Sequence, residues 1–187
     1  MKKILVVSGH PDVDHDSVAN KTILEELALL LPDAQIDRLD LLYPDYQIDV
    51  AAEQAKLVAA DIIILQYPVW WYHFPSLLQK WVEDVFVHGF SHGSHGKALE
   101  GKQLIASLTT GAAAEAYSAE GMGFTIETFL APVVATCRLT RMDFAGYVHT
   151  GGVSYLSRSD GEAQADFVSR AREHAARVHA LVGQLQE

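Results

Sequence analysis

The sequence predicts a three-layer α/β/α fold in which a doubly wound, five-stranded parallel sheet lies between helices. Three short runs, at residues 4–7, 62–65 and 104–108, are apolar throughout or nearly so. Strands of a parallel sheet have this composition because helices cover both of their faces. Between the runs, apolar side chains recur at the 3.6-residue spacing of amphipathic helices. Such an alternation of strands and helices is typical of a doubly wound sheet.

Two weaker segments complete the predicted sheet. Residues 35–39 alternate apolar and polar side chains, as an edge strand does, and residues 139–148 form a fifth candidate strand. Five strands in 187 residues fit the flavodoxin-like order 2-1-3-4-5 better than the six-stranded Rossmann order. We therefore expect a single flavodoxin-like domain over residues 1–187.

Four helices are predicted from apolar stripes and from their start and stop signals. The first stripe ends at Pro32, and the second follows Pro75, which is a good first-turn residue. The third contains Pro132, which we expect to kink or restart the helix. The last helix is expected to open at Ser159, which has the spacing of a capping box with Glu162.

Composition and charge exclude several classes of protein. With 14 basic and 24 acidic residues the net charge is −10, whereas binding to nucleic acid needs clustered Lys and Arg. The single cysteine, Cys137, excludes an internal disulfide and a cysteine-based metal cluster, and its apolar stripe predicts a buried hydrophobe. No apolar run approaches the roughly 18 residues of a membrane span. We expect a cytoplasmic protein.

A histidine-rich segment is interpreted as a surface loop or a lid, not as a metal site. His88, His92 and His95 lie among Gly and Ser residues, with no carboxylate before Glu100. Metal sites that use histidine usually draw on further ligands of suitable spacing. No metal is expected.

Three loops are candidates for ligand binding, because ligands of doubly wound sheets bind beyond the carboxyl ends of the strands. The first, residues 8–20, leads into a helix whose free N–H groups suit a phosphate. Ser17 and Asn20 add a hydroxyl and an amide. The alternative is that Asp16 or Ser17 merely caps the helix. The loop contains neither G-x-G-x-x-G nor a P-loop lysine, which disfavours an ordinary dinucleotide site and an ATPase.

The second and third loops suit a flat ring system. Residues 67–75 carry five aromatic rings, a histidine and two prolines, and Trp70 and Trp71 cannot easily share one core pocket. A flat aromatic ligand could use both the rings and the backbone N–H groups. Residues 109–117 are mostly small, so a ligand could approach their backbone, although a plain flexible connection has the same composition. A phosphate and a flat ring together describe a flavin nucleotide.

Several short segments, taken together, match a known family. They are residues 10–11, 17–21, 42–46, 51–54, 68–75, 81–86, 89–90 and 109–111 with Tyr117. Their combination resembles the NAD(P)H:quinone oxidoreductase family of flavodoxin-like flavoproteins, and most closely the ancillary oxidoreductase of glutathione-regulated potassium-efflux systems. The resemblance covers residues 3 to about 152. It implies a homodimer with flavin at each subunit interface and two-electron hydride transfer from NAD(P)H through the flavin to a quinone.

The same resemblance implies the residues of the site. The flavin phosphate would be held by His10, Ser17, Val18, Ala19 and Asn20. The isoalloxazine ring would lie along Pro68, Val69, Trp70, Trp71 and Tyr72. The polar edge of the ring would meet Thr109, Thr110, Gly111 and Ala112, where alanine replaces a family glycine. Tyr117 matches a catalytic tyrosine that works with a histidine six residues later, but here that position is Gly123.

The choice of cofactor and the physiological role have alternatives. FMN is expected, with FAD as the alternative, because the chain lacks the long C-terminal extension of the larger FAD-binding members. NADH and NADPH both remain open, since no arginine can be assigned to a 2′-phosphate. The alternative function is a regulatory ancillary subunit of a glutathione-gated potassium-efflux antiporter, peripheral at the inner face of the cell membrane. A one-electron carrier ranks last because it needs neither an aromatic pocket nor a dimer.

Overall fold

A five-stranded, all-parallel sheet forms the centre of the protein. The computed structural model describes residues 1–154, 156 and 160–186. The strands are β1 (Ile4–Ser8), β2 (Gln35–Arg38), β3 (Ile62–Pro68), β4 (Gln103–Thr109) and β5 (Asp143–Thr150). Their order is β2-β1-β3-β4-β5, and every neighbouring pair is parallel. The predicted fold class, strand order and edge position of β2 are confirmed.

Seven α-helices connect and cover the strands in the described part of the chain. They are α1 (Val13–Asp16), α2 (Val18–Leu30), α3 (Leu39–Leu42), α4 (Val50–Ala59), α5 (Ser76–Val85), α6 (Ile126–Thr140) and α7 (Gly161–Gln186). Sequence analysis missed α1, α3 and α4. For α4, Asp49 was a usable signal, since aspartate is a preferred N-cap residue. In the structure the Asp49 side chain does cap α4, by accepting the Ala52 N–H. The expected cap at Ser159 lies outside the described residues.

Both faces of the sheet are buried, which explains the continuous apolar runs. On one face, Ile62, Ile64 and Ile105 pack with the apolar side chains of α2 and α7. On the other face, Ile63 and Leu65 pack with side chains of α4, α5 and α6. Burying each large apolar side chain contributes about 1.5–3 kcal/mol, so the two half-cores specify the register of every strand. The ends of the strands are then held at defined positions.

The junction of α6 and β5 differs from its prediction. Residues 139 and 140 are the last turn of α6, so the expected strand start at residue 139 was wrong. The helix ends where Arg141 adopts a left-handed conformation (φ 59°) and the Met142 N–H bonds to the Cys137 carbonyl. Pro132 lies inside α6, and the helix continues through it without restarting. Cys137 is buried, and burial raises the pKa of its thiol to about 11, as befits a hydrophobe.

One buried carboxylate joins the helices on the α4–α5 face of the sheet. Glu53 is fully buried and accepts hydrogen bonds from the Tyr43 hydroxyl (2.7 Å) and the Trp81 Nε1–H (2.8 Å). Lys56 Nζ lies 2.6 Å from Glu53 Oε1 and 2.6 Å from Asp37 Oδ2, at the carboxyl half of β2. A buried charge is tolerated only with such a full set of partners.

Two findings on the described residues concern function classes. No helix there combines the length and the apolar composition needed to cross a membrane. Over the same residues, His, Cys, Asp and Glu side chains form no group of three or more that could hold a metal ion.

The Glu53 cluster predicts a large loss of stability on truncation. Glu53→Ala leaves the Tyr43 hydroxyl, the Trp81 N–H and the Lys56 ammonium without their shared acceptor, so we expect the free energy of unfolding to fall by about 3–5 kcal/mol. Urea denaturation followed by circular dichroism measures the change. Glu83→Ala, which removes a carboxylate bonded to Gln79 on the surface, is the control and should cost no more than about 0.5 kcal/mol. Equal losses in the two variants would contradict a structural role for Glu53.

Candidate functional site

A cavity of about 500 Å³ opens at the carboxyl edge of the sheet. Its wall is formed by His10, Asp16, Ser17, Asn20, Pro68, Val69, Trp70, Thr109, Thr110, Gly111, Val153 and Ser154. These residues follow β1, β3, β4 and β5, so the three predicted loops do meet. The loop after β5 is an addition that sequence analysis missed. Its position followed from the same rule, because β5 also ends at this edge.

Ser17 caps α2 and still has a hydroxyl proton to donate. Its Oγ accepts hydrogen bonds from the Asn20 N–H (3.1 Å) and from Asn20 Nδ2 (2.8 Å). A serine hydroxyl carries two lone pairs and one proton, so both lone pairs are used, while the proton has no acceptor among the described residues. The capping interpretation and the ligand-binding interpretation of Ser17 are therefore compatible.

The Asn20 amide is held from two strands. Its Oδ1 accepts from Gln66 Nε2 (2.5 Å) on β3 and from Thr109 Oγ1 (3.2 Å) on β4. One N–H of the amide binds Ser17, and the other has no partner among the described residues. Asn20 is 3% exposed, so the orientation of that free N–H is specified by buried bonds.

His10 presents a further donor. Its Nδ1 accepts the Asp12 N–H at 3.0 Å, so the neutral ring carries its proton on Nε2. Burial lowers the pKa of His10 below its usual value, although the nearby carboxylates of Asp40 and Asp16 act in the opposite direction. The ring stands edge-on to Trp70, with 5.7 Å between the centroids.

This end of the cavity is chemically suited to an anion. The N–H groups of Val18 and Ala19, in the first turn of the 13-residue helix α2, have no acceptor within the helix. Together with the donors of Ser17, Asn20 and His10 that have no acceptor among the described residues, they lie at the positive end of the helix dipole. Asp16 in the same wall opposes an anion. The donors around it are the groups that a phosphate requires.

The aromatic loop is a tight two-residue hairpin. Trp70 and His73 exchange N–H···O bonds of 3.1 and 3.0 Å, and the two residues between them, Trp71 and Tyr72, are left-handed (φ 49° and 64°). Asn and Gly are the usual residues in such a turn, and a bulky residue there costs on the order of 1–2 kcal/mol. Strain of this size at a cavity mouth indicates a functional reason for the aromatic side chains.

The two left-handed residues do not join the cavity wall. Trp71 is 94% exposed, and Tyr72 packs against Phe129 of α6 at 5.3 Å between ring centroids. Pro68, Val69 and Trp70 supply the wall on this side. The structure thus separates the five predicted ring-binding residues into three that line the cavity and two that lie outside its wall.

The loops that follow β4 and β5 are hydrogen-bonded to each other and form the opposite wall of the cavity. The Thr110 N–H binds the Thr150 carbonyl (3.0 Å), and the Val153 N–H returns to the Thr110 carbonyl (3.1 Å). The Gly152 N–H binds the Ala112 carbonyl at 2.7 Å. A side chain at Gly111 would meet only the Ser154 Cα, at 3.8 Å, so the cavity comes directly against the backbone there.

The remaining predicted site residues lie beside the wall. Val18 and Ala19 are in the first turn of α2, where their backbone N–H groups have no acceptor within the helix. Ala112 is exposed in the turn that follows Gly111. Tyr117 packs edge-on against Phe129 and His149, each at 5.7 Å between ring centroids.

Comparison with known proteins places the chain in a family. Residues 2–175 match the family described as Flavodoxin-like fold, and the chain belongs to it. General stress protein 14 of Bacillus subtilis (strain 168) is 40% identical over 159 residues, which are 84% of this chain and 90% of that protein.

Two crystal structures extend the comparison. General stress protein 14 from Treponema denticola, in complex with FMN, matches with a TM-score of 0.83 and 27% identity, over 97% of this chain and 99% of that one. An NADPH-quinone reductase from P. pentosaceus matches with a TM-score of 0.74 and 26% identity, over 94% of this chain and 98% of that one.

Proposed function

We propose that the protein is an FMN-dependent NAD(P)H:quinone oxidoreductase. The observation that carries the proposal is one cavity with two different ends. At one end, N–H and O–H donors have no acceptor among the described residues, and at the other the wall consists of an aromatic side chain and exposed backbone. FMN combines a phosphate with a flat ring system, and so matches both ends. The FMN complex of the T. denticola protein and the name of the P. pentosaceus reductase support the cofactor and the reaction class.

The residues of the cavity divide between the two parts of FMN. Ser17, Asn20, His10 and the first N–H groups of α2 would hold the phosphate. Pro68–Trp70 and Thr109–Gly111 would enclose the ring. Bound FMN supplies the chemistry of accepting a hydride from NAD(P)H and passing two electrons to a quinone.

Groups of the chain can orient the flavin ring and stabilise negative charge on it. The backbone N–H groups of Gly111 and Ala112 have no acceptor among the described residues, and they can donate to the polar edge of the ring. The Tyr117 hydroxyl likewise has no hydrogen-bond partner within the described part of the chain. Preorganised donors of this kind stabilise negative charge that develops during reaction.

The absorbance spectrum of the purified protein, with mass analysis of the released cofactor, tests the proposal directly. We expect a flavin spectrum, the mass of FMN and quinone-dependent oxidation of NAD(P)H. A colourless protein that binds neither added FMN nor added FAD would refute it. The association with a potassium-efflux antiporter stays a prediction of sequence analysis, which co-purification with the antiporter tests.

Asn20→Asp should weaken FMN binding through its phosphate. The aspartate keeps the oxygen that Gln66 and Thr109 bind, but it replaces the donor amide with a second oxygen and adds a negative charge. A lost bond to a charged group and the new repulsion together cost roughly 3 kcal/mol or more, so the Kd for FMN should rise at least about 100-fold. Quenching of flavin fluorescence measures the Kd.

Riboflavin is the matched control ligand, because it has the same ring without the phosphate. Its Kd should change by less than about threefold in Asn20→Asp, since it has no phosphate charge to repel. Equal weakening of FMN and riboflavin would show that Asn20 supports the fold of the site and does not face a phosphate.

Tyr117→Phe should slow flavin reduction. Loss of one hydrogen bond to developing charge, worth roughly 1.5–3 kcal/mol, lowers the rate by about 10- to 100-fold. Stopped-flow absorbance of the flavin-loaded protein at saturating NAD(P)H measures it. Tyr46→Phe removes a hydroxyl bonded to Ser76 and is the control. A Tyr117→Phe rate within about twofold of the parent rate would show that Tyr117 only lines the pocket.

We further propose that the protein is a homodimer that buries an exposed aromatic patch. The patch consists of Trp71, Tyr72 and Phe124, the last two of which contact Phe129. Exposed apolar patches of this kind mark protein interfaces.

Light scattering should therefore give twice the 20.5 kDa mass of the chain. Trp71→Asp should return the protein to monomer, because a charge at the centre of an apolar interface loses its hydration. Leu29→Asp, at a residue that is 74% exposed on α2, should leave the mass unchanged. A parent protein that is monomeric at micromolar concentration with flavin bound would contradict the dimer.

A further inference from the structure

The side chain of His149, on β5, reaches the outer side of the cavity wall at Thr110. Nε2 of His149 lies 2.9 Å from Thr110 Oγ1, and Thr110 Oγ1 lies 2.9 Å from the Ala112 carbonyl oxygen. Thr110 has one hydroxyl proton, and a carbonyl oxygen only accepts. Both contacts are hydrogen bonds only if Thr110 donates to Ala112 and the His149 Nε2–H donates to Thr110.

These two hydrogen bonds specify which nitrogen of the His149 imidazole carries a proton. With its proton on Nε2, neutral His149 has a lone pair on Nδ1, which has no hydrogen-bond partner among the described residues. A second proton on Nδ1 leaves the bond to Thr110 intact. His149 can therefore hold the Thr110 side chain in both of its charge states.

Thr110 is a part of the wall that matters for a bound ring. It is 2% exposed and lines the cavity, and its hydroxyl bond to Ala112 closes the turn around Gly111. The backbone N–H groups of that turn are the donors assigned above to the polar edge of the ring. The imidazole is thus separated from the cavity by one side chain.

Among the described residues, the charged or titratable groups around His149 include Tyr117, Arg177, Glu127 and His174. Arg177 of α7 donates to its backbone carbonyl at 2.9 Å, Glu127 lies on α6, and the neutral ring of His174 lies on α7. Burial lowers the pKa of His149 from its usual value and Arg177 adds to the effect, whereas Glu127 opposes it.

His149 is also the imidazole beside Tyr117. Their rings meet edge-on at 5.7 Å and 89°. The position six residues after Tyr117 is Gly123, where a Cβ would meet nothing within 4 Å. The histidine next to this tyrosine therefore comes from the neighbouring strand and not from the loop.

We propose that His149 is a positioning residue of the flavin site, which holds the turn of residues 110–112 through Thr110 and binds a compensating proton at Nδ1. The inference rests on the proposed function. Hydride uptake from NAD(P)H brings two electrons and one proton to the site. One solvent proton at Nδ1 then balances the remaining negative charge, and no bond of the wall has to break.

Two variants separate the two parts of this role. His149→Gln keeps an N–H donor at the reach of Nε2 but has no titrating group. His149→Phe removes both the donor and the titration. Neither changes the backbone carbonyl to which Arg177 donates, and circular dichroism reports whether each variant is folded.

The first measurement is the Kd for FMN of the flavin-free proteins, by fluorescence quenching. His149→Phe loses one hydrogen bond of about 1–1.5 kcal/mol that orders the wall, so its Kd should rise about 5- to 15-fold. His149→Gln should stay within about threefold of the parent, because the bond to Thr110 is retained.

The second measurement is the midpoint potential of bound FMN as a function of pH. The parent should show an inflection from His149 that is absent in both variants, while the ionisation of the flavin itself is common to all three proteins. Parent-like FMN affinity in His149→Phe, or the parent inflection in His149→Gln, would overturn the inference and leave the proposed function standing. Failure of the parent to bind FMN at all would instead overturn the proposed function and the inference with it.

Discussion

The hydrogen bonds of the Asn20 side chain are the interaction on which the site depends. Its oxygen accepts from Gln66 on β3 and from Thr109 on β4, while its amide nitrogen binds Ser17 at the start of α2. One side chain thereby connects the start of α2 to the ends of β3 and β4, which carry three of the four loops that enclose the cavity. Because these bonds are buried, each is costly to leave unmade, and the donors that face the anion end have little freedom to reorient. A rigid set of donors binds a phosphate without a further ordering cost.

The opposite wall is held from behind by α7. Both nitrogens of His174 are bonded, to Ser107 (2.8 Å) and to Thr150 (2.9 Å), and Arg170 binds the carbonyls of Gly151 and Gly152. Burial lowers the pKa of His174 to about 3, so the ring stays neutral in the folded protein. Acid below about pH 6.5 therefore favours the unfolded chain, in which this histidine takes up a proton. The last helix supports a loop that sequence analysis did not connect with the site.

The two sides of the cavity differ in backbone strain and in the solvent exposure of their side chains. The Thr110 side is closed by backbone bonds between neighbouring loops, and the left-handed residue there is a glycine, Gly152 (φ 72°). The hairpin side holds Trp71 and Tyr72 left-handed and exposes their rings. A turn of Asn and Gly would be more stable in this conformation, so the aromatic residues serve something other than folding. The homodimer proposed above would cover this patch with a second copy of the chain and would place the subunit contact at the mouth of the cavity.

The sequence by itself determined the sheet, because two-sided burial leaves apolar runs such as residues 62–65, and it determined which loops carry the site, because parallel strands end at one edge. It also identified nine residues of the cavity wall, among them Ser17, Asn20 and Thr110. Tertiary structure decided what spacing along the chain does not encode. It turned Trp71 outward, brought the loop after β5 into the wall and set His149 beside Tyr117. Those positions depend on backbone conformation and on contacts between strands that are far apart in sequence. Local sequence patterns do not encode such contacts.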